Sequence, residues 1–442
     1  MHHSAYIERV FDLIDPDANL LFNMSSEEAT RRVGSGDPQL VAEIEGQFAI
    51  VSRSGKDVLM ARTIGRPLRY FLAKQSDGPC LIVAERIDQI RAQLDSLGLG
   101  DQFHPSYTRM VPAHHLLHLK LIGCPDPNPQ CDRFFTPARN RWNPDVTEIG
   151  QKYIGALAQQ CQLWLDAIGP REPIGVCFSG GIDSGAVLLT LLHLLLSRGE
   201  NPARLKAFTL SIDGGSADAE QANSFLAQLD YGMLLEVIDV PATAIDWRET
   251  IRAVEDYKKL DVEAATMGLA LCRGIRQRYA DWTWLVDGDG GDENLKDYPI
   301  EDNPELTIRS VLNNLMLYQE GWGVNAIKHS LTYSGGQSRG HVRSFAPAQQ
   351  LGFRGFSPFA LPRVIEVAEG IPFIELTQWD HARLYDLKGQ VVGAGIKSLT
   401  GWDMPLYPKR RFQHGSANSD QIQRLFPGDA NEYRSQFQTI YS

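Results

Sequence analysis

"CFSGGIDSGA" occupies residues 177 to 186 and separates two apolar stretches of different character. Before it, "PIGVCF" (173–178) is short, β-branched and bounded by Pro173, which reads as a buried strand. After it, "SGAVLLTLLHLLLSRG" (184–199) is leucine-rich, too long for a strand, and closed by Arg198 and Gly199, both helix-stop signals. The stretch is therefore a strand, a glycine turn and a helix N-terminus. Such a turn aims backbone N–H groups and the positive end of a helix dipole at one point, where an anion is the natural occupant.

Outward from this turn, strands and helices alternate. "LKAFTLSI", the helix "ADAEQANSFLAQLD", "LLEVIDV", the helical "VEAATMGLALCRGIRQRYA" and "WTWLVDGDGGDEN" follow in order. Upstream, Asp145 with Glu148 opens a helix whose Ile149, Tyr153, Leu157, Cys161 and Trp164 share one face. Alternation of this kind predicts an α/β fold with a parallel sheet, whose ligands bind beyond the carboxyl ends of the strands. Residues 1 to about 135 differ: short alternating segments such as "GQFAIVSRSG" and "CLIVAE", cut by Gly, Asp and Pro, predict a sheet-rich α+β domain. "CPDPNPQCDRFFTPARNRWNPD" (124–145) concentrates Pro, Asn and Asp and reads as a linker, which gives domains of 1–135 and 145–442.

The 442 residues, 43% hydrophobic and 22% charged, suffice for two cores. A net charge of −11 argues against a nucleic-acid partner. The six cysteines form no CxxC pair or zinc spacing, as in a reduced cytoplasmic protein. No apolar run reaches the ~18 residues of a membrane span, and "MHHSAYIERV" has no apolar core of an export signal, so no membrane partner is expected.

The first turn matches neither GxxxxGK[ST] nor the GxSxG of serine hydrolases. In S-G-G-x-D-S, Gly180 and Gly181 let the backbone approach phosphate, and Ser179 and Ser184 add hydroxyls. Asp183 suits a Mg²⁺ that phosphates also bind. A plain serine-capped turn would not explain the Gly-Gly-x-Asp. The second turn, "VDGDGGDEN" (286–294), gathers Asp287, Asp289, Asp292 and Glu293 among Gly288, Gly290 and Gly291. It is not an EF-hand, which would need Asp or Asn at 291, Gly at 292 and Glu at 298, where Gly291, Asp292 and Tyr298 stand. Carboxylates this close repel unless a cation sits among them, or unless the loop is merely solvated.

"SGGIDS" with "DGDGGDE" resembles the paired loops of the asparagine synthetase and β-lactam synthetase family, which includes lasso-peptide cyclases. "EGQFAIVSRSGKDVLMARTIGRPLRYF", "CLIVAERIDQI" and "MVPAHHLLHL" are similar to its N-terminal class II (Ntn-type) amidotransferase half; "FRGFSPF" and "YPKRRFQHG" are similar to its C-terminal motifs. The resemblance implies a PP-loop synthetase domain with a helical C-terminal part. It implies ATP and Mg²⁺ as cofactors, a small-molecule or peptide carboxylate as substrate, and ammonia or another amine as its partner, and it leaves a homodimer open as the assembly. The activity implied is AMP-forming amide ligation through an acyl-adenylate; intramolecular lactam formation, a non-catalytic nucleotide-binding subunit and a tRNA-modifying PP-loop enzyme are the alternatives.

By the same resemblance, Ser179, Gly180, Gly181, Asp183, Ser184 and Gly288 hold pyrophosphate, and Asp183 and Asp292 hold the metal. Phe208, Thr209 and Leu210 line the adenine pocket. Lys388 in "YDLKGQVVGAG" is the catalytic lysine, with Lys409 second; Asp289 positions or deprotonates the amine, and Glu255 lies on the substrate side, with a helix-surface carboxylate as its alternative. Asp289 stands where asparagine synthetases carry Glu and β-lactam synthetases Tyr, favouring an external amine; Glu320, near a glutamate of the lactam formers, points weakly the other way. The family's glutaminase uses a cysteine after the initiator methionine. Here His2 stands at that place, the first cysteine is Cys80, and the expectation is a degenerate amidotransferase domain without glutaminase activity.

Overall fold

The computed structural model describes residues 9–76, 78–122, 129–297, 307–313, 341–407 and 423–441. They fall into two compact units, one running to Thr136 and taking in the chain from Phe437 onward, the other beginning at Pro137.

The first unit contains β1 (Val10–Asp12), β2 (Leu20–Leu21), β3 (Gly46–Gln47), β4 (Ala49–Ser54), β5 (Asp57–Arg62), β6 (Arg69–Gln75), β7 (Gly78–Ala84), β8 (Arg109–Met110), β9 (His115–Lys120) and β10 (Gln130–Arg133). They form two four-stranded sheets, ordered β1-β7-β6-β8 and β10-β9-β5-β4, and a β2-β3 pair. Period-2 patterning divides each strand between two cores. Val58, Met60, Leu81, Val83, Leu117 and Leu119 belong to one core. Their neighbours Leu59, Ala61 and Leu116 pack with Ala29 and Val33 of helix α1 (Ser26–Gly34). Cys80 and Ile82 pack with Ile90 and Leu94 of helix α2 (Ile87–Ser96). The layers are helix, sheet, sheet, helix. Composition misread one piece: Gln130–Arg133, inside the expected linker, is an edge strand antiparallel to β9.

The second unit carries a five-stranded, all-parallel sheet: β11 (Ile174–Cys177), β12 (Leu205–Ile212), β13 (Leu235–Val240), β14 (Trp284–Val286) and β15 (Arg354–Phe356), ordered β13-β12-β11-β14-β15. The mixed α/β class and the sheet-rich N-terminal part are as the sequence predicts. β15 lies inside "FRGFSPF" and has no alternation of its own to announce it. The helices include α3 (Val146–Ala167), α4 (Ile182–Ser197), α5 (Ala217–Ala227), α6 (Lys259–Arg278) and α7 (His381–Thr400). Asp145 caps α3, accepting from the N–H groups of Thr147 (2.8 Å) and Glu148 (3.0 Å), and the apolar face expected of this helix is fully buried. Successive strands build outward from β11 on one side, then from β14 on the other. The order in which strands are added reverses between β11 and β14, which makes this the topological switch point, and sheets of this kind place their ligand crevice at the carboxyl ends of such a pair.

Candidate active site

Both glycine turns leave the sheet at this switch point. After β11, Gly180 adopts a left-handed φ of +71°, which a glycine adopts without steric cost. The serines brace the turn: Ser179 Oγ accepts from the Gly181 N–H at 3.3 Å, and Ser184 Oγ accepts from the Ser179 N–H at 3.4 Å. Contacts this long are weak, so these hydroxyls can be exchanged for ligand oxygens. Gln221 of α5 donates to the Ser179 carbonyl at 3.2 Å, and α4 begins at once, its dipole pointing into the crevice.

After β14, Asp287 is buried. One of its oxygens accepts from the Asp289 N–H (3.0 Å) and the other from the Ser357 hydroxyl (2.9 Å). Burial, and then the charge of Asp289, push the Asp287 carboxyl well above the usual range. Asn294 donates to the Phe359 carbonyl at 2.9 Å and to the Tyr153 hydroxyl at 3.2 Å. Just beyond, Lys296 Nζ lies 3.2 Å from Glu369, both buried. "FRGFSPF" and α3 thus form the shelf under the second turn. The turns touch: a Cβ on Gly288 would stand 2.6 Å from the Ser184 nitrogen.

From α7, which packs on α3 where Gly395 meets Gly150, Lys388 reaches into this contact. Its Nζ is 2.6 Å from Asp183, in close contact with Asp292 and 3.3 Å from Asp297. Burial alone would lower the Lys388 pKa, but the three carboxylates outweigh it and hold the amine well above its ordinary value. Asp297 had no part in the sequence reading. Its signal is its place five residues after Asp292 in "DENLKD", legible only once the second turn is known to end in a short helix, Gly291–Asn294.

Asp183 and Asp292 therefore share one cation, although they are far apart in sequence. Two carboxylates open to phosphate oxygens are an apt set for Mg²⁺, which keeps water and substrate oxygens in its remaining positions. Among the described residues no ready-made cage of three or more His, Cys, Asp or Glu exists.

Asp289 lies on the second turn, two residues after the buried Asp287. One of its carboxylate oxygens is buried without a hydrogen-bond partner. Burial first, then Glu293 and Asp292, push its pKa up to about 7, against the hydrogen bond of Ser344 and the charge of Arg343. Arg343 itself binds Asp261 at 3.1 and 3.2 Å. Glu255 is 2% exposed, with a left-handed φ of +53°, so the helix-surface alternative for it is ruled out. Its neighbour Asp256 accepts from the N–H groups of Tyr257 (2.7 Å) and Lys258 (3.1 Å); burial and then Asp261 raise its carboxyl to about 7.

β12 continues past the end of β11, where Cys177 pairs with Phe208. The Phe208 carbonyl accepts from the Phe178 N–H, and the Leu210 carbonyl accepts from the Ser216 hydroxyl, so both backbones face the β11 side and that of Thr209 faces β13. The Phe208 ring is buried against Gly175. Lys409 and Glu320 lie outside the described residues. The five described cysteines are free thiols, and no described helix is long and apolar enough to cross a membrane.

A family model described as asparagine synthase matches residues 169–350, which take in both glycine turns. No curated protein matches the chain. The stretch 169–350, which carries both glycine turns, is accordingly similar to an asparagine synthase domain.

Proposed function

We propose that the chain is an ATP-dependent, AMP-forming amide ligase that acts on a small-molecule or peptide carboxylate and on ammonia or another external amine. The observation that carries this reading is the convergence of Asp183 and Asp292, from two turns at the switch point, on the buried ammonium of Lys388. A carboxylate oxygen attacks the α-phosphorus of ATP; the bond to the β-phosphate oxygen breaks, and pyrophosphate leaves along the first turn. The amine then attacks the acyl carbonyl, its proton passes to Asp289, and the bond to AMP breaks. Mg²⁺ bound by Asp183 and Asp292 would supply neutralisation of phosphate charge. Lys388 stands where negative charge grows on phosphate and on the tetrahedral oxygen, and an oriented cation in a dry site stabilises such charge strongly. The turn N–H groups bind and orient pyrophosphate, and the backbones of Phe208 and Leu210 flank the adenine. Asp289, raised to about 7, is matched to a general base working near neutral pH.

Ammonia supply from the first unit is not part of this reading. Cys80 is fully buried, and burial raises its thiol to about 11, so it is not a poised nucleophile. The helix–sheet–sheet–helix layering supports an amidotransferase-like ancestry for this unit.

The test is pyrophosphate release from ATP, screened across pools of carboxylates with and without ammonium. Carboxylate-dependent pyrophosphate and AMP are expected, with glutamine no better than free ammonium. ADP and orthophosphate as products would overturn the AMP-forming reading.

A further inference from the structure

The three carboxylates around Lys388 are not equivalent. The Asp183 and Asp292 side chains are 20% and 34% exposed and face the crevice, whereas that of Asp297 is 10% exposed. Asp297 is also anchored through its backbone. Its N–H donates to the Asp292 carbonyl at 2.9 Å, and the preceding residue, Lys296, is locked by the buried pair with Glu369. The group of four carries two negative charges in excess, which a divalent cation would balance. A cation bound by Asp183 and Asp292 competes with the ammonium for the same oxygens.

We propose that Asp297 is a positioning residue that retains Lys388 when Asp183 and Asp292 are given over to a metal–nucleotide complex. This rests on the ligase reading above. In the exchange no covalent bond changes: the ammonium gives up its contacts with the two crevice carboxylates and keeps the one behind. Without Asp297, the lysine would have to hold the metal-binding carboxylates or lose every counter-charge in a buried place, and either course costs affinity for the metal.

The experiment titrates Mg²⁺ against the full chain by calorimetry in the presence of α,β-methylene ATP, which cannot be cleaved at the reacting bond. Asp297→Asn is expected to raise the Mg²⁺ concentration for half-saturation about tenfold or more, the usual scale for losing a partner of a ligand shell. Asp297→Glu, which keeps the charge, recovers most of the loss. In a Lys388→Met background there is no ammonium to retain, so Asp297→Asn is expected to add nothing. An equal shift in both backgrounds would make Asp297 a direct ligand or a purely structural residue and overturn the proposal, as would no shift in either. Asp297→Ser carries the same comparison if the asparagine variant does not fold. A wild-type chain that binds the nucleotide at no Mg²⁺ concentration removes the ligase reading, and this inference with it.

Discussion

The turn after β11 and the turn after β14 stand side by side at the carboxyl edge of one sheet, and they keep their shapes by different means. The first is almost self-sufficient: Gly180 supplies the left-handed backbone, and Ser179 and Ser184 accept from N–H groups within the same six residues. The second is crowded with acid and depends on distant parts of the chain. Ser357 and Phe359 follow β15, Tyr153 comes from α3, and Glu369 lies further on; between them they satisfy Asp287, Asn294 and Lys296. A turn that only has to present N–H groups needs little else, so local rules suffice. A turn that buries several carboxylates must draw compensation from elsewhere, because an unpaired buried charge costs more than a loop can offset.

The largest effect tests where the two turns are alike. Asp183→Asn and Asp292→Asn should each cut pyrophosphate release ~100-fold or more with the fold intact, since each removes one of the two crevice carboxylates. Wild-type turnover in either variant, with an unchanged near-ultraviolet circular dichroism spectrum, would remove that aspartate from the site.

Next comes their mutual contact. Gly288→Ala places a methyl group against the Ser184 backbone, which cannot give way as a side-chain tip can. Turnover should fall ~10-fold as the turns part, since small misplacements at a reacting centre are costly. If the variant melts as wild type does and keeps full rate, the backbone contact has no part in catalysis.

The smallest effect belongs to the second turn alone. Asp289, raised to about 7, is mostly protonated at pH 6, so amide formation should climb with pH through about 7 and then level off. Asp289→Asn should abolish that limb. The same shift has an opposite effect on stability: the native state holds this proton more tightly than the unfolded chain, so the contribution is greatest at acid pH and is lost as pH rises through about 7. A pH–rate profile and a series of melts at pH 5 to 8 measure both.

Much of the second unit was legible. Four of its strands, the capped start of α3 and the two glycine turns follow from period, caps and breakers, because each is a short-range regularity. The acidic turn was visible as a set of charges in need of a cation, and family resemblance singled out Lys388. Other features were hidden. Gln130–Arg133 lies among Pro, Asn and Asp and becomes a strand only through its pairing with β9. Glu255, for which a helix-surface place was the alternative, is buried by packing no local pattern announces.

By itself, the sequence determined the parallel α/β plan, the places where the chain must turn at glycine, and the types of charged groups delivered to those turns. These depend on backbone propensity and hydrophobic period, which act over a few residues. Only the tertiary structure decided that β11 and β14 are neighbours, that Asp183, Asp292 and Asp297 meet one ammonium, and that Asp289 titrates near 7. The reason is physical. A carboxylate's partner, and the water it loses, are set by what folds against it, and here that is α7, which arrives on its close packing with α3 about two hundred residues after the first turn.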